Sequence, residues 1–386
     1  MSVVQSSSND YVTRVLRTPS EADAPAWNAL LAKAGGSPFM RHEYLDAMHA
    51  SGSADARTGW DPHFVTLWRD GELHAACPLY LKSHSYGEYV FDWAWANAYE
   101  QHGERYYPKA LTAVPYTPVP GPRLLAVDAA ARLALVQEVR AWCMKKKVSS
   151  FHLLFANDDD VAACDEAGLM LRHTVQFHWL NDGWPDFDAF LASLTQEKRK
   201  KIRQERRKVA DAGVSFRHAE GAAITQADWD FFYRCYERTY LEHGNAPYLT
   251  RDFFRRMAAA MPENWLLFVA EREGAPIASS LIGIGDGVAY GRYWGALERV
   301  DCLHFEACYY QPLAWCIANG YQRFEGGAQG EHKMARALMP VKTTSAHWLA
   351  HPAFADAVEK FLAREDKGIE AYMEHLDERS PFRHPT

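Results

Sequence analysis

A dense group of polar side chains lies near the C-terminal end of the sequence, directly after a short apolar run that ends at Phe324. The members of this group are Glu325, Gln329, Glu331, His332, Lys333 and Arg336. Side chains of these types can accept a proton from a substrate and can supply a cation that stabilises an oxyanion. We expect one of the two glutamates or the histidine to accept the proton. The lysine or the arginine would stabilise the oxyanion, or hold a phosphate or carboxylate, and the glutamine would contact substrate. The alternative is a polar turn whose charges pair with one another.

The glycines of this stretch, in the segment GGAQGEHK, do not have the spacing of a phosphate loop. A GxxxxGK[ST] loop requires lysine directly after the last glycine, whereas Glu331 follows Gly330 here. We therefore expect Gly326 and Gly327 to form a bulge or to let a ligand approach the backbone.

A second candidate region is the strongly basic segment 198–208, in which eight of eleven residues are Lys or Arg and Glu205 is the only acid. At about 100° per residue these charges cover more than one face of a helix. We expect the segment to contact phosphate groups, because cations of this density suit phosphate. The predicted contact residues are Lys198, Arg199, Arg203 and Arg206. The alternative is a solvated helix between domains.

The composition excludes several other classes. A net charge of −7 over 386 residues is not that of a globally basic nucleic-acid binder. The seven cysteines are scattered without a CxxC pair, and HxH, HExxH and GxSxG motifs are absent, so we predict no metal site and no serine nucleophile. No signal peptide or membrane-spanning run is evident, which predicts a soluble cytoplasmic protein.

The elements that must position these residues repeat along the chain. The periodicity predicts the order β-α-α-β-β-β-α-β-β twice, with hairpin turns at Asp70–Gly71, Glu273–Gly274 and Asp286–Gly287. This order predicts an α/β fold of two domains, each a mixed sheet flanked by helices. The predicted boundaries are 11–180 for the first domain, 181–212 for a basic helical linker and 213–386 for the second domain.

Three motifs carry a resemblance to a known family. They are LTQEKRKKIRQERRKVADAGVSF at 194–216, LHFEACYYQ at 303–311 and FEGGAQGEHKMARALMPVKTTSAHW at 324–348. From about residue 37 onward the chain resembles the FemABX family of aminoacyl transferases, and most of all its FemAB-like branch of predicted N-acyltransferases. The resemblance implies two tandem GNAT-like domains.

The resemblance also implies ligand sites in both domains. It assigns substrate binding to His304, Glu306 and Tyr309, where the fourth strand of the second domain leads into the central helix; the alternative is helix capping. An acceptor cleft in the first domain would use the aromatic stretch after residue 92, whose candidates are Trp93, Tyr99, Tyr106 and Tyr107; the alternative is aromatic core. The (Q/R)xxGx(G/A) loop of CoA-binding members is missing, which counts against a plain acetyl-CoA enzyme.

The expected function is transfer of an acyl or aminoacyl group to an amine, by direct attack and without a covalent enzyme intermediate. The expected donor is aminoacyl-tRNA or acyl-CoA, with tRNA held by the basic helix, and no other cofactor is implied. The expected acceptor is an amine of a peptidoglycan-precursor peptide, with peripheral contact to a lipid-linked precursor. Two alternatives stay open: an acyl-CoA-dependent N-acetyltransferase of a small amine or protein, and a non-catalytic protein that binds RNA or a cell-wall precursor.

Overall fold

The computed structural model describes residues 3–5, 10–327 and 330–383. The strands are β1 (Val3–Gln5), β2 (Val12–Leu16), β3 (Trp60–Pro62), β4 (Phe64–Arg69), β5 (Glu72–Cys77), β6 (Tyr80–Lys82), β7 (Lys109–Thr112), β8 (Leu125–Ala126), β9 (Ser150–Ala156), β10 (Met170–Leu180), β11 (Val214–Glu220), β12 (Trp265–Arg272), β13 (Ala275–Gly285), β14 (Val288–Ala296), β15 (Arg323–Glu325) and β16 (Met339–Leu349). The helices are α1 (Ala24–Lys33), α2 (His42–Ala50), α3 (Trp93–Gln101), α4 (Ala129–Lys146), α5 (Asp158–Glu166), α6 (Phe187–Ser193), α7 (Gln196–Asp211), α8 (Gln226–Glu242), α9 (Arg251–Ala260), α10 (Leu303–Phe305), α11 (Gln311–Ala318) and α12 (Pro352–Asp377). A π-helical turn at Glu306–Tyr310 joins α10 to α11, and a 3₁₀ turn covers Glu331–Arg336.

The chain forms two compact units, and each is built from two separate stretches of sequence. The first unit contains Met1–Thr174 and Lys342–Ala371, and the second contains Val175–Val341 and Tyr372–Thr386. This division by compactness differs from the division by repeat, in which each domain is one continuous stretch. The repeat boundaries at 180 and 212 therefore stay a prediction.

The first unit contains two groups of paired strands around a helix-covered core. One has the order β1-β2-β4-β5-β8, and the other includes β3-β6-β7-β9-β16 with β7 and β9 parallel. Helix α4 contributes Leu135 and Val139 to the same core as Val65 and Leu67 of β4. All seven residues of β9 are buried, as expected of a strand covered on both faces.

The second unit has a sheet in which β11, β12, β13 and β14 follow one another antiparallel. Strand β15 then pairs parallel with β14 and, on its other side, antiparallel with the end of β10. Its core includes Phe177, Ile282, Leu313 and Phe324, all almost fully buried. The only parallel pair in this sheet is thus β14 with β15, among the strands that the structure describes.

Local sequence signals explain much of this framework. At Asp70–Gly71, Glu273–Gly274 and Asp286–Gly287 both residues have positive φ, the backbone that a two-residue type I′ hairpin turn requires. The spacing of Thr225 and Asp228 predicts a capping box, and helix α8 begins with one: each side chain accepts from the backbone N–H of the other residue.

Two local details differ from what the sequence predicts. The aromatic and proline content of 88–125 predicts short strands with long loops; the segment contains β7 and the first residue of β8, but 93–101 forms helix α3, because Trp95 and Tyr99 lie four residues apart and bury one face. Gly368 predicts a break in the terminal helix, whereas α12 continues through it. One glycine costs only about 1 kcal/mol in a helix interior, which the rest of a long helix can offset.

No helix in the described ranges combines the length and apolar character needed to cross a bilayer. Within the same ranges, no three His, Cys, Asp or Glu side chains are grouped so that they could hold a metal ion.

Candidate active site

The parallel strands of the second unit separate after only three residue pairs. Val288, Ala289 and Tyr290 of β14 pair with β15, which ends at Glu325. A cavity of about 120 Å³ lies beyond this point. Its lining residues include Ser280 and Ile282 of β13, Gly291, Arg292, Tyr293 and Trp294 of β14, His304, Cys308, Tyr309, Phe324 and Gly326. We call this space the wedge cavity.

The β14 side of the wedge cavity carries a β-bulge. Ile282 of β13 pairs with Gly291 and Leu281 pairs with Tyr293, so Arg292 is the extra residue. Bulges re-aim side chains and are frequent next to active sites. A Cβ at Gly295 would overlap the carbonyl of Cys235 in α8, so glycine there lets the helix pack directly on the bulged strand.

The opposite wall is the π-helical turn that precedes α11. The hydroxyl of Ser280 donates to the carbonyl of Ala307 at 2.6 Å, which ties this turn to β13. Pro312 lies in the first turn of α11, directly after the π-helical turn, where its missing N–H is tolerated. The turn places Tyr309 against the cavity, and π-turns are frequent at functional sites.

His304 is neutral in this environment. The residue is exposed, and its ring lies beside those of Trp294, Phe305 and Tyr309, with ring centroids 5.4, 5.6 and 5.8 Å away. Burial, together with positive neighbours in the 331–336 turn, lowers the pKa of His304 to about 4. A neutral imidazole at the cavity wall can accept a proton or a hydrogen bond.

Lys333 is one of two buried cations of the cluster, the other being Arg336. Only 4 % of Lys333 is exposed, and its Nζ donates to the carbonyl of Gly327 at 3.0 Å. Its stem fills the space beside Gly326, where a Cβ would lie 3.3 Å from Lys333 Cδ and 2.6 Å from Leu338. The glycine therefore makes room for this lysine and Leu338, and it also lines the wedge cavity. Burial lowers the pKa of Lys333 to about 8.

His332 is exposed, with its ring centroid 6.5 Å from that of Tyr309. Burial of the ring and the neighbouring cations Lys333 and Arg336 lower the pKa of His332. The structure thus brings His304 and Tyr309 close to the 331–336 turn, and their roles as site residues stay a prediction.

Arg336 is held by protein partners. Its Nη2 bonds the Glu205 carboxylate at 3.0 and 3.2 Å, its Nη1 donates to the carbonyl of His332 at 2.8 Å, and its guanidinium lies 3.5 Å from the Phe305 ring centroid. Glu205 also accepts from the buried hydroxyl of Tyr310. These contacts connect α7, the π-turn and the 331–336 turn, so Arg336 holds these three elements together; we call this its bracing role.

Glu306 is likewise engaged, in a buried ion pair with Arg206 at 3.1 Å and a bond from Gln311 at 2.8 Å. This contact gives a carboxylate of the π-turn a partner in the basic helix. Both residues were predicted as ligand-binding, and that role stays a prediction.

The two glutamates predicted as bases occupy different surroundings. Glu325 is buried on β15, 3.0 Å from Arg323 and 3.9 Å from His178, whose pKa burial lowers to about 3. Glu331 is exposed and accepts from Tyr372 at 2.8 Å and from Arg379 at 3.0 Å, which holds it at the surface. Gln329 lies outside the described residues.

The basic segment forms α7, whose buried face consists of Ile202, Glu205 and Val209. Arg203 is exposed and only 4.0 Å from Asp188, while Lys198 pairs with Glu197 at 3.3 Å and Arg199 is half-buried. A groove of about 530 Å³ runs beside this helix. Its charged and amide lining groups are Asp188, Arg203, Arg206, Arg207, Glu306 and Gln311.

The aromatic candidates of the first unit belong largely to packed structure. Tyr106 donates to Asp92 at 2.6 Å, and Asp92 also bonds Lys109, which pairs with Glu88 at 2.7 Å in a fully buried network. Tyr107 shares a bond of 2.8 Å with Ser85, which also accepts from this lysine.

Two further aromatic candidates lie on α3. Tyr99 is buried and stacked on Phe354 with centroids 3.9 Å apart, whereas Trp93 is 38 % exposed beside Tyr86. Trp93 is therefore the most accessible of the predicted aromatic contacts.

Sequence reasoning missed the residues of β14 that line the wedge cavity, namely Arg292, Tyr293 and Trp294. The signal was present in GRYWG, where an arginine and two aromatic residues stand between two glycines inside a strand. Glycines within a strand often mark a bulge or a close backbone approach, and both occur here.

Comparisons with known proteins agree with this description. FemX superimposes with a TM-score of 0.54 at 11% identity, covering 88% of this chain and 98% of FemX. L-PGS from Bacillus licheniformis gives 0.55 at 10% identity, covering 89% of this chain and 97% of the other. At such identities the likeness shows the fold, and it confirms the predicted α/β class, with mixed sheets flanked by helices. No match is found among curated proteins.

The sequence itself matches a family model over almost its whole length. The model for FemAB-like proteins, described as peptidoglycan biosynthesis/recognition, covers residues 19–384. The chain therefore belongs to the FemAB-like family.

Proposed function

We propose that this protein transfers an activated acyl or aminoacyl group to an amine in the wedge cavity. The observation that carries the proposal is the separation of β14 from β15 beside a neutral histidine and a buried lysine. The family description, peptidoglycan biosynthesis/recognition, supports a cell-wall precursor peptide as the source of the amine.

The proposed reaction is direct. The amine nitrogen attacks the carbonyl carbon of an ester or thioester, forming the C–N bond and a tetrahedral oxyanion. Collapse of this intermediate breaks the C–O or C–S bond, and the leaving oxygen or sulfur takes up a proton. The donor is already activated, so no covalent enzyme intermediate is required.

Two side chains have the protonation states that this reaction needs. His304 is neutral near pH 7 and can accept the proton that the amine loses on attack. Lys333, whose pKa is about 8, is mostly protonated at pH 7 and packs against Gly326 of the cavity lining. A cation placed there stabilises the oxyanion with little solvent screening.

The donor is proposed to carry phosphate. The groove beside α7 presents Arg203, Arg206 and Arg207, and arginines are suited to phosphate oxygens. Both expected donors, aminoacyl-tRNA and acyl-CoA, contain phosphate, and the groove by itself does not distinguish them.

The test is a transfer assay with two donors and matched variants. Purified protein is incubated with aminoacyl-tRNA or acetyl-CoA and an amine-bearing precursor peptide, and the acylated peptide is measured by mass spectrometry. His304→Ala and Lys333→Met should each lower the rate by about 100-fold or more. His375→Ala and Lys360→Met, which change exposed residues, are the controls.

The outcomes separate the alternatives. Acetyl-CoA consumption alone would favour the N-acetyltransferase. Salt-sensitive tRNA binding without transfer would favour a non-catalytic RNA-binding protein. Turnover that is insensitive to both active-site substitutions would contradict the proposed site.

A further inference from the structure

A second pocket lies beside the wedge cavity, next to the C-terminal part of α8. It has a volume of about 370 Å³ and shares Arg292, Tyr293 and Trp294 with the wedge cavity. Tyr236 and Tyr240 of α8 complete an aromatic wall, with their ring centroids 4.8 Å apart. Its volume falls in the range typical of small-molecule sites, roughly 300–1,000 Å³. We call it the aromatic pocket.

The aromatic wall is rigid as well as apolar. The rings of Tyr236 and Tyr293 meet edge to face at 5.4 Å, and the hydroxyl of Tyr236 accepts from the backbone N–H of Leu249 at 3.2 Å. The Thr239 hydroxyl donates to the carbonyl of Trp294 at 3.0 Å, which fixes α8 to β14. A preformed wall of this kind favours a planar or apolar group.

The charge of the pocket points to an anion. Arg292 is the one permanently charged side chain in its described lining, and no carboxylate is part of that lining. Arginine binds carboxylate in a bidentate manner, with a stronger bond than a neutral donor gives. The pocket therefore suits a ligand that combines a carboxylate with an aromatic or apolar group.

The position of Arg292 connects this pocket with the reaction. As the bulged residue of β14 it borders both spaces, so a carboxylate that it holds keeps a nearby amine close to the wedge cavity. We infer that the aromatic pocket is the acceptor subsite, and that the acceptor is an amine that also carries a carboxylate and an apolar or aromatic group. The acceptor role rests on the proposed function, whereas binding in the pocket does not.

The binding test uses calorimetry with two small probes that contain the same ring. 3-Phenylpropionate carries the carboxylate without an amine, and 2-phenylethylamine carries the amine without a carboxylate. The unaltered protein should bind 3-phenylpropionate more tightly. Equal binding of the two probes, or tighter binding of 2-phenylethylamine, would overturn the inference. Displacement of 3-phenylpropionate by a lower concentration of adenosine monophosphate would also overturn it, because that result indicates a nucleotide site.

Substitutions test whether 3-phenylpropionate binds in the aromatic pocket. Arg292→Met should weaken 3-phenylpropionate binding by about tenfold or more, equal to about 1.4 kcal/mol, and Arg292→Lys should weaken it less. Arg234→Met removes an exposed cation of α8 that is not part of the pocket lining, and it is the matched control. Unchanged binding by Arg292→Met would overturn the assignment. The comparison of the two probes on the unaltered protein remains decisive even if Arg292→Met does not fold.

Transfer is measured separately. With the donor that the protein consumes, L-phenylalanine should be acylated in preference to 2-phenylethylamine, and Arg292→Met should remove this preference. Binding of 3-phenylpropionate without any transfer would support the pocket and contradict the proposed function. Transfer without any preference for the carboxylate would support the proposed function and overturn the acceptor subsite.

Discussion

Lys333 gives the most quantitative prediction. Its buried positive charge lowers the stability of the folded protein, and the proposed reaction needs that same charge. Burial lowers the pKa of Lys333 from 10.5 to about 8. This difference means that the folded chain disfavours the charged form by about 3 kcal/mol. Lys333→Met removes that cost but also loses the bond to Gly327, which contributes about 1 kcal/mol. The variant should therefore be more stable at pH 7 by about 2 kcal/mol while transfer is lost.

The sign of the pH dependence follows from the same values. Between pH 8 and pH 10.5 the unfolded chain binds the lysine proton and the folded chain does not, so the stability contributed by Lys333 rises with pH. The advantage of Lys333→Met should therefore shrink to nearly zero by about pH 10. Guanidinium denaturation of both proteins at pH 7 and pH 10 measures this change, and the exposed Lys360→Met is the control.

A chain with two compact units can unfold in more than one step, so a site-specific measurement is needed as well. The acetylation rate of Lys333 by acetic anhydride, followed by mass spectrometry across pH, should show a midpoint near pH 8 in the folded protein. The same lysine in urea-unfolded protein should titrate near its usual 10.5. Identical titration in both states, together with a Lys333→Met variant several kcal/mol less stable than the parent, would refute the reasoning.

Three further predictions concern the same unit. The pH profile of kcat/KM should fall above about pH 8 as Lys333 loses its proton. The same profile should show no histidine titration between pH 6 and 7, because the pKa of His304 is about 4. A rise over that interval would contradict the role of His304. Arg336→Met should lower the free energy of unfolding by about 3–5 kcal/mol, since it leaves the Glu205 carboxylate buried without its cation, and a calorimetric loss below about 1 kcal/mol would argue against the bracing role. Arg203→Gln should reduce the slope of log K against log salt for tRNA binding by about 0.7–0.9, and an unchanged slope in filter-binding assays would place the phosphate contact elsewhere.

Much of the framework was predictable because its signals are local. The three hairpin turns pair an acidic residue with glycine, and positive φ at both positions follows from those residue types. The capping box at Thr225 likewise needs only neighbouring residues. The alternation of strands and helices then led to the GNAT-like order, and the resemblance of three motifs led to the family.

The parts that sequence reasoning missed depend on long-range contacts. Strand β16 belongs to the first unit because it pairs with β9. In this pairing Leu349 lies opposite Ser150, almost two hundred positions earlier in the chain. The bracing role of Arg336 depends on Glu205, which lies in another helix. The basic segment was recognised from its charges, but no local pattern shows that its single acid is the buried partner of that arginine.

The sequence identified several residues of the candidate site but not their arrangement in space. The 331–336 turn and His304 were identified as candidates, and the structure brings them together beside the wedge cavity. Arg292 was missed because its position at the cavity depends on the register shift between β13 and β14, for which the glycines of GRYWG are only an indirect signal. The surface position of Glu331 depends on Tyr372 and Arg379, which come from the end of the chain.

The central claim is that the wedge cavity catalyses transfer to an amine, and single-turnover transfer tests it most directly. Protein in excess over a radiolabelled aminoacyl-tRNA, or over radiolabelled acetyl-CoA in a parallel reaction, is mixed with an amine-bearing precursor peptide. Label should move to the peptide with the unaltered protein and with Lys360→Met, and about 100-fold more slowly with His304→Ala and Lys333→Met. Equal rates in all four proteins, or label that remains on both donors with every protein, would contradict the account.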